Sequence, residues 1–325
     1  MDHLDSRFRR CVRRLGILCV LAAPFTGAQA QDRWPSQPVK LVVPYPPGGT
    51  TDLVARMVSE QLGRELGQPV IIDNKPGGGT NIGAEAVARA KPDGYTFLLG
   101  TNAQVLNYHF GPKPSFELSA LDPVSLVSRQ AFVVAANPQA PFRTGAELLA
   151  AAKASPGKLT ISSAQLDLYV ELMSNKAGIK LLHVPYKGGA AAVTDAISGQ
   201  VNMAFALVPV MLPHIQGGKL RALALTSEKR QASLPDVPTL KELGVDYDMT
   251  IWYGLMAPAG TPKAIVDRLA EATHKVLGEP ELATRIRTGG AEPATNKPEE
   301  FRAQLKQENT FWQATARAMP NLVQK

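Results

Sequence analysis

Apolar and polar positions along this chain fall into two alternating registers. Val39–Val43 is a near-continuous apolar run, the pattern of a strand covered on both faces, and Pro44 ends it. Thr50 and Thr51 then offer a helix cap, with Asp52 in the first turn, where a negative side chain suits the helix dipole. Leu53, Met57, Leu62 and Leu66 recur at about one helical turn and mark the inward face. Residues 69–73 predict a second strand, 74–79 a loop, 81–90 a helix, 93–94 a turn and 95–99 a third strand. This succession is the βαβ pattern of a parallel sheet with helices on its faces.

The pattern restarts further on. Strands are predicted at 132–136, 159–162, 181–184, 201–206 and 220–225, and helices at 144–154, 167–177 and 190–197. A last apolar stretch, 251–257, leads into helices at 261–277 and 298–318. Val43-Pro44-Tyr45 before Gly48-Gly49 is echoed by Val184-Pro185-Tyr186 before Gly188-Gly189. Two related lobes would produce that echo, and so would the ordinary preference of strand-to-helix turns for Pro and Gly. No period of about 20–50 residues repeats, which excludes a solenoid.

Composition narrows the class. The 325 residues carry 35 Lys+Arg and 28 Asp+Glu, a net charge of +7. Five of those arginines (Arg7, Arg9, Arg10, Arg13, Arg14) and only Asp2 and Asp5 lie in the first thirty residues. Without that segment 30 basic and 26 acidic residues remain, dispersed and without a basic run, which argues against a nucleic-acid partner. The segment reads as a signal peptide: a basic start, an apolar run at 15–25, and the small-x-small site Ala28-Gln29-Ala30. The run is shorter than the roughly 20 apolar residues a membrane span needs. Cleavage is expected after Ala30, giving a periplasmic protein. Both cysteines, Cys11 and Cys19, would leave with the leader, so the mature chain must be held by its packed core.

Two glycine turns are the main candidates for chemistry. Gly48-Gly49-Thr50-Thr51 and Gly77-Gly78-Gly79-Thr80 both precede helices, whose free N–H groups can receive an anion. Tight turns with unusual backbone angles explain the same glycines. Neither loop fits a dinucleotide or phosphate-loop fingerprint, since Ile82 stands where the third glycine should be and Gly-Lys-Ser/Thr is absent. His109, His183, His214 and His274 are scattered, with no zinc-helix spacing, and no Gly-x-Ser-x-Gly elbow occurs. No metal, cofactor or catalytic group is therefore expected. Ser162 and Ser163 either offer hydroxyls to a ligand or end their strand, and Trp252 and Tyr253 either line a cleft or pack in the core.

Six ordered motifs then carry a resemblance. They are 44–52 (Pro44-Tyr45-Pro46-Pro47-Gly48-Gly49-Thr50-Thr51-Asp52), the Asp73–Ala84 segment around Gly77-Gly78-Gly79, Pro92-Asp93-Gly94-Tyr95-Thr96, His183-Val184-Pro185-Tyr186-Lys187-Gly188-Gly189, Leu234-Pro235-Asp236-Val237-Pro238-Thr239 and Ala257-Pro258-Ala259-Gly260-Thr261-Pro262. Together they resemble the Bug, or TctC-like, substrate-binding proteins of tripartite tricarboxylate transporters. The resemblance implies an α/β fold of the type II periplasmic-binding-protein class. Each of two lobes would hold a mixed, mainly parallel sheet flanked by helices, with a ligand cleft between them. Lobe 1 would take residues 31–130 and 251–325, lobe 2 residues 131–250, with crossovers near 125–131 and 247–253.

The resemblance also implies a function and a site. The lobes would close on a small carboxylate and deliver it to the permease subunits of a tripartite tricarboxylate transporter, or signal through a sensor kinase. Binding residues would be Tyr45, Pro47, Gly48, Gly49, Thr101, Asn102 and Gln104 from the first lobe. Ser162, Ser163, Gln165, Ala206 and Val208 would come from the second, with Asp195 near the cleft. One departure stands out. The family usually has a Ser-x-Gly-x-Gly loop followed by a histidine, whereas Ser162-Ser163-Ala164-Gln165-Leu166-Asp167 runs straight into a helix. The shorter loop puts Ser163 and Gln165 in question as contacts and leaves room for a bulkier, aromatic mono- or dicarboxylate.

Overall fold

A computed structural model describes residues 34–323 apart from 112, 165, 187 and 188. The expected leader, Gln165 and the Lys187-Gly188 step lie outside the described residues.

The first βαβ unit forms as the pattern predicts. It comprises β1 (Val39–Val43), α1 (Thr50–Leu66), β2 (Val70–Asn74), α2 (Asn81–Ala88) and β3 (Thr96–Thr101), with β1 parallel to both other strands. The inward face of α1 is shifted from the expected one. Leu62 and Leu66 are buried as expected and Met57 is half-buried, but Leu53 is 55% exposed and Val54, Ala55 and Val58 are buried. The buried stripe is shifted by one position in the first two turns, at Val54 and Val58, and rejoins the expected spacing at Leu62 and Leu66.

A short α3 (Ala103–Leu106) leads to β4 (Leu121–Ala136), a strand of 16 residues. The next units are α4 (Gly145–Ala154), β5 (Thr160–Ala164), α5 (Asp167–Ala177), β6 (Leu182–Tyr186), α6 (Gly189–Ser198), β7 (Met203–Leu207), α7 (Val208–Gln216) and β8 (Arg221–Leu225). The chain returns through β9 (Thr250–Pro258), α8 (Lys263–Gly278), α9 (Pro280–Thr288), β10 (Glu292–Pro293) and α10 (Pro298–Ala318).

The ten strands among the described residues join one curled, mixed sheet, eight of them in the order β2-β1-β3-β9-β4-β7-β5-β6, with β8 and β10 each pairing with β4 off this path. The long β4 carries the change of partner. Its residues 121–131 pair antiparallel with β9, and its residues 132–136 pair with β7 and β8. Register shifts flank Ser125 and Ser128. Such bulges bend a strand, which lets β4 pass from one half of the sheet to the other.

Three apolar layers hold the halves. One layer is made by the inner faces of α1, α8 and α9, with Val54, Val58, Leu62, Leu269, Val276 and Ile286. A layer on the opposite side runs through both halves, from Leu98, Trp252 and Phe301 to Phe132, Phe205 and Tyr169. Phe132 stacks on Phe205 at 4.8 Å and meets Tyr169 at 4.9 Å. Val193, Ala196, Val208 and Met211 form the third layer. Burying each such Val or Leu side chain contributes about 1.5–3 kcal/mol. No helix among the described residues is long and apolar enough to cross a membrane.

Candidate functional site

Parallel strands end at the same side of a sheet, so the loops after β1, β2 and β3 gather there. They face the β5–α5 junction across a cavity of about 700 Å³, closed by Ile251, Asn321 and Leu322. No Lys, Arg or His side chain among the described residues lines it, and its one charged lining residue is Asp167.

The two glycine loops take different parts. In the first, the Gly48 N–H donates to Asp52 Oδ2 at 2.9 Å. The same carboxylate takes the Arg56 guanidinium (2.8 and 3.2 Å) and Asn74 Nδ2 (3.0 Å). Asp52 is buried, and the Arg56 hydrogen bond, helped by Gly48 and Asn74, lowers its pKa to about 2. The start of α1 thus carries its own anion. Pro47, Gly48 and Gly49 are exposed, and only Pro44, Tyr45 and Pro46 of this loop line the cavity.

The second loop lines the cavity with Gly77, Gly79 and Thr80. Four successive residues have positive φ: Gly77 (118°), Gly78 (58°), Gly79 (62°) and Thr80 (84°). Thr80 is the one non-glycine with positive φ among the described residues. A β-branched residue held there stores on the order of 1–3 kcal/mol of strain, which persists only where neighbours fix it. Here Gln104 Nε2 donates to Thr80 Oγ1 (2.8 Å), and Asn107 Nδ2 donates to the Gly79 carbonyl (2.6 Å). No acidic residue stands in the first turn of α2.

The residues after β3 serve as frame and wall. Thr101 is buried and its Oγ1 meets Tyr45 Oη at 3.0 Å, while burial pushes the Tyr45 phenol pKa upward. Gln104 is also buried, and its Oε1 accepts the Thr101 N–H at 2.5 Å. Asn102 lines the cavity and donates from Nδ2 to Tyr169 Oη at 2.6 Å, tying the end of β3 to α5. Tyr169 is fixed in turn by Tyr247 Oη, which donates to its carbonyl (2.9 Å), and by an edge contact with Trp312.

Across the cavity, several expected contacts are turned inward. Ser162 is buried and donates to the Ala192 carbonyl at 2.8 Å. Ser163 Oγ meets His183 Nε2 at 2.7 Å, and His183 Nδ1 lies 3.3 Å from Asp167 Oδ1. A neutral ring protonated at Nδ1 satisfies both contacts, and burial lowers the His183 pKa. This is the order of a nucleophile, base and orienting acid. Ser163 is fully buried, so the chain of contacts braces β5 to β6 and α5 rather than presenting Oγ to a substrate. Asp195 accepts from Tyr186 Oη and is not among the cavity-lining residues, nor are Ala206 and Val208, which are buried.

Of the expected residues, the fold thus brings Tyr45 and Asn102 to the cavity wall and sets Thr101 and Gln104 directly behind it. Thr80, Asn107, Leu166, Asp167, Leu168 and Tyr169 line the cavity without having been singled out as contacts. Leu166, Leu168 and Tyr169 occupy the region of the shortened β5–α5 loop. In sequence they read only as the start of an apolar helix.

Comparison with known proteins identifies the family. The family model described as "Tripartite tricarboxylate transporter family receptor" matches residues 54–319. A relative from Pseudomonas sp. (strain P51), the UPF0065 protein in the tcbD-tcbE intergenic region, is 35% identical over 305 residues, 92% of this chain and 91% of its own length. The solved structure of R. palustris Rpa4515 with adipate is 32% identical, with a TM-score of 0.76 over 87% of this chain and 97% of that one. The periplasmic binding protein BugD gives 34% identity and a TM-score of 0.73 over 88% and 98% of the two chains. The chain belongs to the TctC family of tripartite tricarboxylate transporter receptors, which are solute-binding receptors and not enzymes.

Proposed function

We propose that this receptor captures a small dicarboxylate between two lobes, residues 31–130 with 251–325 and residues 131–250, and presents it to a membrane permease from the periplasm. The leader-like first thirty residues support export, with cleavage after Ala30. The observation that carries the reading is the cavity itself. It has walls from both halves of the sheet and, among the described residues, no basic side chain, and one wall is the left-handed Gly77–Thr80 loop opening α2.

An anion is then held by backbone N–H groups, hydroxyls and amides. A helix start contributes about 0.3–1 kcal/mol to a carboxylate, and up to about 2 where partly buried. Asp167 on the opposite wall disfavours a second charge close to it, so the two carboxylates of a ligand would lie along the glycine-loop side. The adipate bound by the R. palustris relative supports a dicarboxylate of that length. The cavity falls in the roughly 300–1,000 Å³ range of small-molecule sites, which also admits an aromatic dicarboxylate.

Thermal-shift and calorimetric titration with aliphatic and aromatic mono- and dicarboxylates tests this. A ligand at a hundred times its Kd should add about 2.7 kcal/mol of apparent stability. Stabilisation by none of the carboxylates would overturn the reading.

A further inference from the structure

Asp167 sets the electrostatic character of the cavity after β1, β2 and β3. It is the first residue of α5 and the one charged group among the described residues that line the cavity. The facing wall is neutral, with Gly77, Gly79 and Thr80 of the second glycine loop and the amides Asn102 and Asn107. One wall thus suits an anion, and the other carries a fixed negative charge.

That charge has no full counter-charge. His183 Nδ1 lies 3.3 Å from Asp167 Oδ1, and no Lys or Arg among the described residues comes within ion-pair distance. Burial lowers the His183 pKa, so the ring is neutral at pH 7. Ser163 Oγ meets the other ring nitrogen at 2.7 Å. Ser163 is fully buried on β5, His183 is partly buried on β6, and the Asp167 side chain is 56% exposed. The chain of contacts therefore begins in the sheet and ends on an accessible carboxylate at the cavity wall. It fixes the acid in place, where the reverse order would have activated the serine.

This has a consequence for the ligand. A plain dicarboxylate brings two negative charges to a wall that already holds one and, among the described residues, no basic side chain. Like charges in a site that excludes water repel more strongly than in solution. A ligand that carries its own cation relieves the repulsion and gives Asp167 a charge-assisted hydrogen bond.

We propose that Asp167 is a specificity-determining residue and that it selects dicarboxylates with an ammonium group on the chain between the two carboxylates. The ammonium would donate to Asp167, with the ligand's carboxylates along the Gly77–Thr80 side. The proposal rests on the dicarboxylate reading above and names the class of dicarboxylate.

Isothermal titration of the full chain at pH 7.5 tests it, with succinate beside aspartate and adipate beside 2-aminoadipate and 3-aminoadipate. In at least one of the two lengths an amino ligand should bind about three- to tenfold more tightly than its unsubstituted parent. Asp167→Asn keeps the size of the side chain and removes its charge. It should weaken the amino ligand by about three- to tenfold and tighten the parent by about two- to threefold. The opposite signs separate loss of the charge from a disturbed fold, which would weaken both ligands. If a parent dicarboxylate binds and no amino ligand binds more tightly, or if Asp167→Asn moves both ligands in the same direction, the proposal is overturned and the dicarboxylate reading stands. If neither the parents nor the amino ligands bind, both fall together.

Discussion

The two glycine loops of this protein look alike in sequence and differ in what their helices are given to hold. Gly48-Gly49 opens α1 with Asp52 in its first turn, and that carboxylate folds back to take the Gly48 N–H. Gly77-Gly78-Gly79 opens α2 with no acid in its first turn, in a run of positive φ that ends on Thr80. A helix start can accept an anion only if the chain has not already placed one there. The first loop is a closed joint, braced through Asp52 to Arg56 and Asn74. In the second, Asn107 and Gln104 hold the Gly79 carbonyl and the Thr80 hydroxyl, the Thr80 and Ile82 N–H groups return to the Gly77 carbonyl (3.0 and 3.4 Å), and no carboxylate among the described residues caps the loop.

The largest expected effect is therefore at Gly77. Its φ of 118° and ψ of 163° lie in a region essentially restricted to glycine, and an added Cβ would come within 2.7 Å of Ile82 Cδ1. Gly77→Ala should shift the loop and weaken dicarboxylate binding by about 10- to 100-fold, the equivalent of one or two charge-assisted hydrogen bonds. Calorimetric titration with the best ligand from the carboxylate panel measures this. An unchanged Kd would remove the second loop from the site.

Next in size is the stability carried by Asp52. Its folded pKa of about 2 lies below the ordinary aspartate value of 3.8, so its contribution is fully present above about pH 4. It is lost as pH falls from about 4 towards about 2. Asp52→Asn should cost about 1–2 kcal/mol at neutral pH, since half-exposed Arg56 is partly screened by water. Urea unfolding of both proteins at pH 7 and pH 3 checks the sign, because the gap should narrow at the lower pH. Ligand affinity should hardly move, in contrast to Gly77→Ala.

A smaller effect is expected where the two halves meet across the cavity. Tyr169→Phe removes the acceptor of the Asn102 amide while keeping the ring against Phe132 and Trp312. The loss should be about 0.5–1.5 kcal/mol, split between stability and affinity. Tm and Kd measured together give the split, and a Kd change with no Tm change would make Asn102 mainly a ligand contact.

Sequence made the elements legible because their signals are local. Val39–Val43 and the α1 spacing need no knowledge of the rest of the fold. The short helices were not legible. Val208–Gln216 contains Pro213, and Pro280–Thr288 buries only Leu282, Ala283 and Ile286. At the site, the glycine pattern marked both loops, and the resemblance named Tyr45, Asn102, Gly48 and Gly49 as contacts but no residue of the Gly77–Thr80 loop. It could not show that Asp52 turns back on Gly48 or that Gln104 reaches Thr80 across 24 positions. Ser162 and Ser163 have the residue type of ligand contacts, but their hydroxyls meet Ala192 and His183, partners set by the sheet and not by the motif. Tyr169 shares the periodicity of ordinary core residues, so its reach to Asn102 carries no sequence signal.

The smallest expected effect is the sharpest test of the comparison. Gly48 has a φ of 83° and nothing within 4 Å of the position a Cβ would take. Asparagine tolerates that left-handed conformation better than most residues, so Gly48→Asn adds a side chain at little backbone cost. The Gly48 N–H can still donate to Asp52, because the substitution leaves the amide in place. Stability should then change by no more than about 0.5 kcal/mol and affinity for the dicarboxylate by no more than about twofold. If both loops gripped the ligand alike, the new side chain would stand in front of the first loop's N–H groups, and affinity would fall as far as in Gly77→Ala. Equal losses in the two variants would erase the distinction between them, whereas a loss confined to Gly77→Ala would assign the anion to the loop that carries no acid of its own.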